Sequence, residues 1–178
     1  MTLSSTYYHQ QQYTVVNGAD VRVMAFANTR KKPITYLETP RQQLEFFANA
    51  ARDVEVANLE ALIATFNQRP KSIENGISAW VAGDVDELSM RLHRGLRSNP
   101  AGKRILLDER NISWAAKITD LLAGSKTHFI TVGIGHLGGP NNVIGYLCKK
   151  GFMVTRIQTG ATRVPSACEA AEAANSLE

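Results

Sequence analysis

Apolar residues recur at the three- and four-residue spacing of amphipathic helices through most of the chain. The spacing predicts a short helix over residues 19–30, three or four helices between residues 39 and 98, and a long helix from near residue 101 to residue 122. Two start signals support this reading: a capping box over residues 39–42 with proline at the first helical position, and Asp84 followed by Glu87. The central helices carry stripes at Val56, Leu59, Ile63 and Phe66, at Ile73, Ile77, Trp80 and Val81, and at Val85, Leu88, Leu92 and Leu96.

Three shorter apolar runs, residues 33–37, 127–132 and 152–157, predict buried strands. The last two flank a helix expected from Pro140 to Lys150 and capped by Gly151, which together indicate a β-α-β unit with parallel strands. We therefore expect an α/β fold, a mixed sheet with several helices and a C-terminal β-α-β unit. Residues 1–16 are predicted to be a leader or an edge strand, residues 17–157 the domain, and residues 158–178 a mobile tail.

Composition narrows the function classes. The 178 residues carry a formal net charge of +4 and are 44% hydrophobic, which is typical of a globular domain. The basic cluster at residues 30–32 and the stripe of Arg91, Arg94 and Arg97 have no interleaved aromatic residues, so we expect solvated surfaces and no nucleic-acid partner.

Cysteine content and apolar runs bear on compartment. The two cysteines, Cys148 and Cys168, are too few and too far apart to predict a zinc cluster or a disulfide scaffold. No apolar stretch approaches the roughly 20 residues that a transmembrane helix needs. No basic residue precedes Arg22, so no signal peptide is recognisable. The chain is expected to be cytoplasmic as given, or exported if a leader was removed.

The first chemical candidate is His136, which ends the sequence Gly-Ile-Gly-His at residues 133–136 after a predicted strand. Gly133 and Gly135 would position the loop, and ligands gather at such strand ends in α/β folds. The alternative is a histidine hydrogen-bonded inside a tight turn. The glycine spacing differs from the dinucleotide-binding pattern G-x-G-x-x-G, which disfavours nucleotide binding.

Glu38 and Arg110 are the second candidate pair. On a helical wheel Arg110 and Asn111 fall close to the apolar side formed by Leu107, Trp114, Ile118 and Leu121, whereas Asp108 and Glu109 point away. A guanidinium beside a buried face needs an anionic or carbonyl partner. Glu38, at the end of a predicted strand, is available. Two interpretations are open: a structural role, in which Arg110 pairs with Glu38 or caps backbone carbonyls, or two groups that meet a ligand.

These segments occur in an order that resembles a known family. The chain resembles the TraB/GumN family, which includes the Tiki proteins and lies in the erythromycin-esterase/ChaN-like superfamily. The likeness rests on Tyr-Leu-Glu-Thr at residues 36–39, Leu-Asp-Glu-Arg-Asn at 107–111 and Gly-Ile-Gly-His at 133–136, with flanking segments at 80–84 and 150–154. The likeness runs from about residue 18 to residue 157 and corresponds to the C-terminal portion of the family fold.

The resemblance implies a metal-dependent, peptidase-like hydrolase. In it, His136 and Glu38 would be ligands of a divalent metal, Glu38 and Arg110 catalytic groups, and residues 133–136 the second of two G-x-x-H motifs. The chain holds no other G-x-x-H motif, because His9, His93 and His128 lack a glycine three residues earlier. The N-terminal half of the family fold therefore looks absent.

An incomplete site leaves two function classes. The first is a hydrolase completed in trans, by a homo-oligomer with swapped domains or by a missing N-terminal half, and acting on a peptide-like substrate. The second is a non-catalytic remnant or a binding module on the same scaffold.

Overall fold

The computed structural model describes residues 12–48, 69–97, 99–157 and 167–168, together with residues 52, 55, 56, 59, 60 and 63. The chain divides into two compact units, Met1–Leu37 and Glu38–Glu178. In the first unit a 3-10 helix, Val15–Asn17, precedes helix α1, Ala19–Thr29. The predicted helix over residues 19–30 is thereby confirmed.

The second unit is a series of helices joined by turns and extended segments. Its elements, in chain order, are α2 (Pro40–Ala48), α3 (Arg69–Ala82), α4 (Val85–Leu96), α5 (Pro100–Lys103), a π-helical turn (Arg104–Asp108), α6 (Glu109–Leu122), a 3-10 helix (Ile134–His136) and α7 (Val143–Lys149). None of the described helices combines the length and the apolar character that crossing a bilayer requires.

Both predicted start signals form in the structure. The Thr39 N–H donates to Gln42 Oε1 at 2.8 Å, and the Gln42 N–H donates to Thr39 Oγ1 at 3.1 Å, a reciprocal capping box. At the start of α4, the Glu87 N–H donates to Asp84 Oδ1 at 3.0 Å. These side chains satisfy amide groups that have no partner within the helix.

The core of the second unit lies along α6. Leu107, Trp114 and Ile118 are buried there, as the apolar stripe predicted, and α7 packs against the same helix. The long predicted helix is interrupted by the π-turn, in which the Glu109 N–H donates to the carbonyl of Arg104. A π-turn changes the register of the helix, so Asp108, which was predicted to point away, is half-buried.

The predicted α/β fold with a mixed sheet and a C-terminal β-α-β unit is wrong for the described residues, which form helices and no strand or sheet. Residues 33–37 and 127–132 are without regular structure, and in 152–157 only Thr155 forms an isolated β-bridge. Phe129 and Met153 are 83% and 98% exposed. Apolar runs of this kind favour an extended backbone, but a strand also needs a neighbouring strand to satisfy its amide and carbonyl groups. The residues of an apolar run do not indicate whether a neighbouring strand is present.

The helix between the last two of these segments forms, but it starts later than predicted. Asn142 rather than Pro140 precedes α7, and its Oδ1 accepts from the Gly145 N–H at 2.8 Å. The left-handed Gly151 ends the reversal that follows α7, with a φ of +86°.

Cys148 and Cys168 form a disulfide with their Cα atoms 5.6 Å apart, a pairing that the number and spacing of the cysteines did not predict. The contact is tertiary, and next to Cys168 the Ala167 N–H donates to the Val154 carbonyl at 3.2 Å. A separation of 20 residues in sequence does not disclose such a contact. The remaining predicted tail positions, 158–166 and 169–178, and residues 1–11 of the predicted leader lie outside the described residues.

Candidate functional site

Glu38 and Arg110 form a two-pronged ion pair within the second unit. Arg110 Nε donates to Glu38 Oε2 at 3.0 Å, and Arg110 Nη2 donates to Glu38 Oε1 at 2.8 Å. The two side chains are 14% and 16% exposed, so water screens the pair only partly. Glu38 lies in the bend before α2 rather than at the end of a strand. The predicted inward orientation of Arg110 is confirmed, and the two groups meet each other.

Arg110 is held on two further sides. Its Nη1 donates to the Leu106 carbonyl at 2.9 Å, within the π-turn, and its guanidinium lies 4.7 Å from the centre of the Trp114 ring. A planar guanidinium suits both contacts, because it stacks on aromatic rings and presents donors in a fixed fork. Arg110 is therefore a rigid positive group whose position is set by α6 and the π-turn.

His136 also packs against Trp114. Their ring centres are 4.4 Å apart, and His136 is only 7% exposed. Its Nδ1 is 2.6 Å from Asn111 Oδ1. The pKa of His136 is lowered from 6.5 to about 4, first by burial and then by the positive charge of Arg110, while the negative charge of Glu38 opposes the shift. The imidazole is therefore neutral at pH 7, and it lies within the electrostatic range of the ion pair.

Glycines on both sides of His136 allow the loop to approach α4 closely. A Cβ added at Gly138 would lie 2.8 Å from the Ser89 Cβ, and one added at Gly135 would collide with Leu92. Gly133 has no such neighbour, since the nearest atom to an added Cβ is the His136 Cδ2 at 3.8 Å. The predicted positioning role thus has a steric basis at Gly135, and the structure supplies none at Gly133.

Asn111 is the residue of the site that the sequence analysis did not assign. It is 1% exposed, and besides its contact with His136 it donates from Nδ2 to the Asn141 carbonyl at 2.7 Å. Asn141 has a φ of +53°, a left-handed conformation that asparagine tolerates. The available signal was the helical wheel, which placed Asn111 close to the buried side. A buried amide needs partners, and those partners lie 25 and 30 residues away.

The described residues offer a metal two candidate ligands. His136 Nε2 makes no hydrogen bond to any described residue, whereas each oxygen of Glu38 already accepts one hydrogen bond and keeps further lone pairs. Among the described residues no group of three His, Cys, Asp or Glu side chains could hold a metal ion. A catalytic zinc site takes three protein ligands. His136 and Glu38 thus fit part of a metal site and do not complete one.

Comparison with known proteins identifies the family. The model of the TraB/PrgY/gumN family matches residues 1–156, which confirms the resemblance drawn from the motifs and extends it over the leading residues. No curated protein and no solved structure matches the chain.

Proposed function

Because the chain belongs to the TraB/PrgY/gumN family, we propose that its second unit carries one side of a metal-dependent hydrolase site. His136 and Glu38 are the metal ligands in this proposal, and Arg110 stabilises negative charge on the substrate. The observation that carries the proposal is the state of His136, a neutral imidazole with Nδ1 engaged by Asn111 and Nε2 open, beside a fixed carboxylate and guanidinium. Metal-ligating histidines commonly have their second nitrogen hydrogen-bonded in this way.

The chemistry follows from these groups. A divalent cation at such a site supplies Lewis-acid polarisation of a carbonyl and makes water more acidic. Glu38 contributes lone pairs that face away from Arg110, either as a ligand or as a base for a water proton. Arg110 is already held by Leu106 and Trp114, so it would meet developing oxyanion charge without reorganising. A peptide bond is the substrate class that the family resemblance suggests.

The remaining ligands have to come from outside the described set. A second copy of the chain is the source we propose, as a homodimer in which exchanged segments complete each site. Light scattering of the purified chain should then give twice the mass of 19.5 kDa. A folded monomer that still binds metal would place the missing ligands within the same chain.

A non-catalytic scaffold is the second candidate. The observation that favours it is the ion pair, since both oxygens of Glu38 are occupied by Arg110. An Arg110–Glu38 pair of this kind also serves to hold α6 against the start of α2 without any chemistry.

Zinc titration separates the two candidates. Calorimetry of the full chain with Zn²⁺ should give near one ion per chain, and His136→Ala should abolish that binding. His128→Ala is the matched control, because it removes a histidine from the neighbouring extended segment, and it should bind like the wild type. The hydrolase proposal is abandoned if neither the wild type nor the control binds zinc. Hydrolase activity is tested with a fluorogenic peptide mixture, which the zinc-loaded wild type should cleave and the zinc-loaded Glu38→Gln variant should not.

A further inference from the structure

The two polar contacts of the Asn111 side chain fix which nitrogen of His136 carries the proton. The carbonyl of Asn141 can only accept, so the Asn111 group that faces it must be the NH₂, at 2.7 Å. The Asn111 oxygen is then the atom that faces His136 Nδ1, at 2.6 Å, and an amide oxygen can only accept. Nδ1 must therefore be the protonated nitrogen of the neutral ring.

We infer that Asn111 is a positioning residue that holds His136 in the Nδ1–H tautomer, with the lone pair on Nε2. The inference needs no bound metal, since it follows from which atoms donate and which accept. Asn111 also fixes the plane of the ring, because it is buried at 1% exposure and tied at both ends of its amide. His136 is thus committed to act through Nε2, as a ligand or as a base.

The left-handed turn at Asn141 completes the arrangement. Its φ of +53° belongs to the turn that leads from Gly139 into α7, and its carbonyl accepts from Asn111 across 30 residues of sequence. One asparagine on α6 therefore joins the two ends of the loop that carries His136.

Long-range proton–nitrogen NMR of the ¹⁵N-labelled full chain at neutral pH tests the tautomer directly. The wild type should show His136 protonated at Nδ1. Asn111→Leu removes the acceptor and should move the proton to Nε2 or give a mixture, whereas Asn111→Asp keeps an oxygen opposite Nδ1 and should keep the tautomer. His128 serves as an internal reference whose signals should stay the same in every variant.

Two results would overturn the inference. One is a wild type with the proton on Nε2, and the other is a folded Asn111→Leu protein that keeps Nδ1–H. If Asn111→Leu does not fold, the wild-type spectrum and Asn111→Asp still decide, since loss of the Nδ1–H tautomer in either one contradicts the assignment.

The consequence for metal binding rests on the proposed function. Zinc affinity should fall about 10- to 100-fold in Asn111→Leu, the usual effect of losing a residue that orients a ligand, and should change less in Asn111→Asp. The two ideas fail separately. A wild type that binds no zinc removes the hydrolase proposal and leaves the tautomer standing, whereas a wild type with Nε2–H removes the tautomer assignment even if zinc binds.

Discussion

The strength of the Arg110–Glu38 pair can be worked out from its surroundings. At about 4 Å between charges and an effective dielectric constant near 20, the attraction is about 4 kcal/mol before the cost of removing both groups from water. With side chains 14% and 16% exposed, part of that cost is incurred, and we expect a coupling free energy of about 2 kcal/mol. An exposed pair of the same residue types is worth only about 0.2 to 1 kcal/mol.

The assay is a double-mutant cycle on the free energy of unfolding, with Arg110→Met, Glu38→Gln and the double variant, followed by circular dichroism in urea. The chain supplies a matched control in Arg41 and Glu45, which also pair at 2.8 Å but are 87% and 48% exposed. Their cycle should give less than about 0.5 kcal/mol. A coupling for Arg110 and Glu38 no larger than that of the control would mean that partial burial does not strengthen the pair.

Three further predictions concern His136, the loop and the disulfide. Folding lowers the pKa of His136 from 6.5 to about 4, so the unfolded chain takes up the proton first as the pH falls between those values. The wild type should therefore lose about 3 kcal/mol more stability than His136→Gln between pH 7 and pH 4. Equal losses of the two proteins in urea unfolding would contradict this. Gly138→Ala should lower the free energy of unfolding by about 1 to 3 kcal/mol, because the added Cβ would press on Ser89. Gly76→Ala in α3 is the control and should stabilise the protein slightly, since nothing lies within 4 Å of the added Cβ. Equal shifts of the urea midpoint in the two variants would contradict the close contact between Gly138 and Ser89. Reducing the Cys148–Cys168 bond should lower the free energy of unfolding by about 3 kcal/mol, from the chain-entropy relation for a 20-residue separation, and so lower the melting temperature. Two free thiols in the denatured, unreduced protein would contradict the bond.

The helices could be predicted from sequence because their determinants are local. The Thr39–Gln42 box and the Asp84 cap lie within one helical turn, and the stripe on α6 repeats within the helix itself. The same locality places Arg110 on the inner side, which is why its burial was foreseen.

The rest depends on contacts between distant segments. The runs at 127–132 and 152–157 favour extended backbone. Whether they pair into a sheet depends on other segments of the chain, which the local sequence does not indicate. The Cys148–Cys168 bond and the contact between Asn111 and Asn141 likewise arise only once the chain has reversed direction. The π-turn before α6 also escaped prediction, because helical spacing assumes one register throughout.

We propose that His136 Nε2 and Glu38 hold a metal. Crystals of the full chain grown with Zn²⁺, with diffraction measured on both sides of the zinc absorption edge, would locate the ion directly. We expect an anomalous peak about 2.0 to 2.1 Å from His136 Nε2 and close to a Glu38 oxygen. Zinc bound to Nδ1, zinc found only elsewhere on the chain, or the absence of zinc at saturating concentration would contradict it.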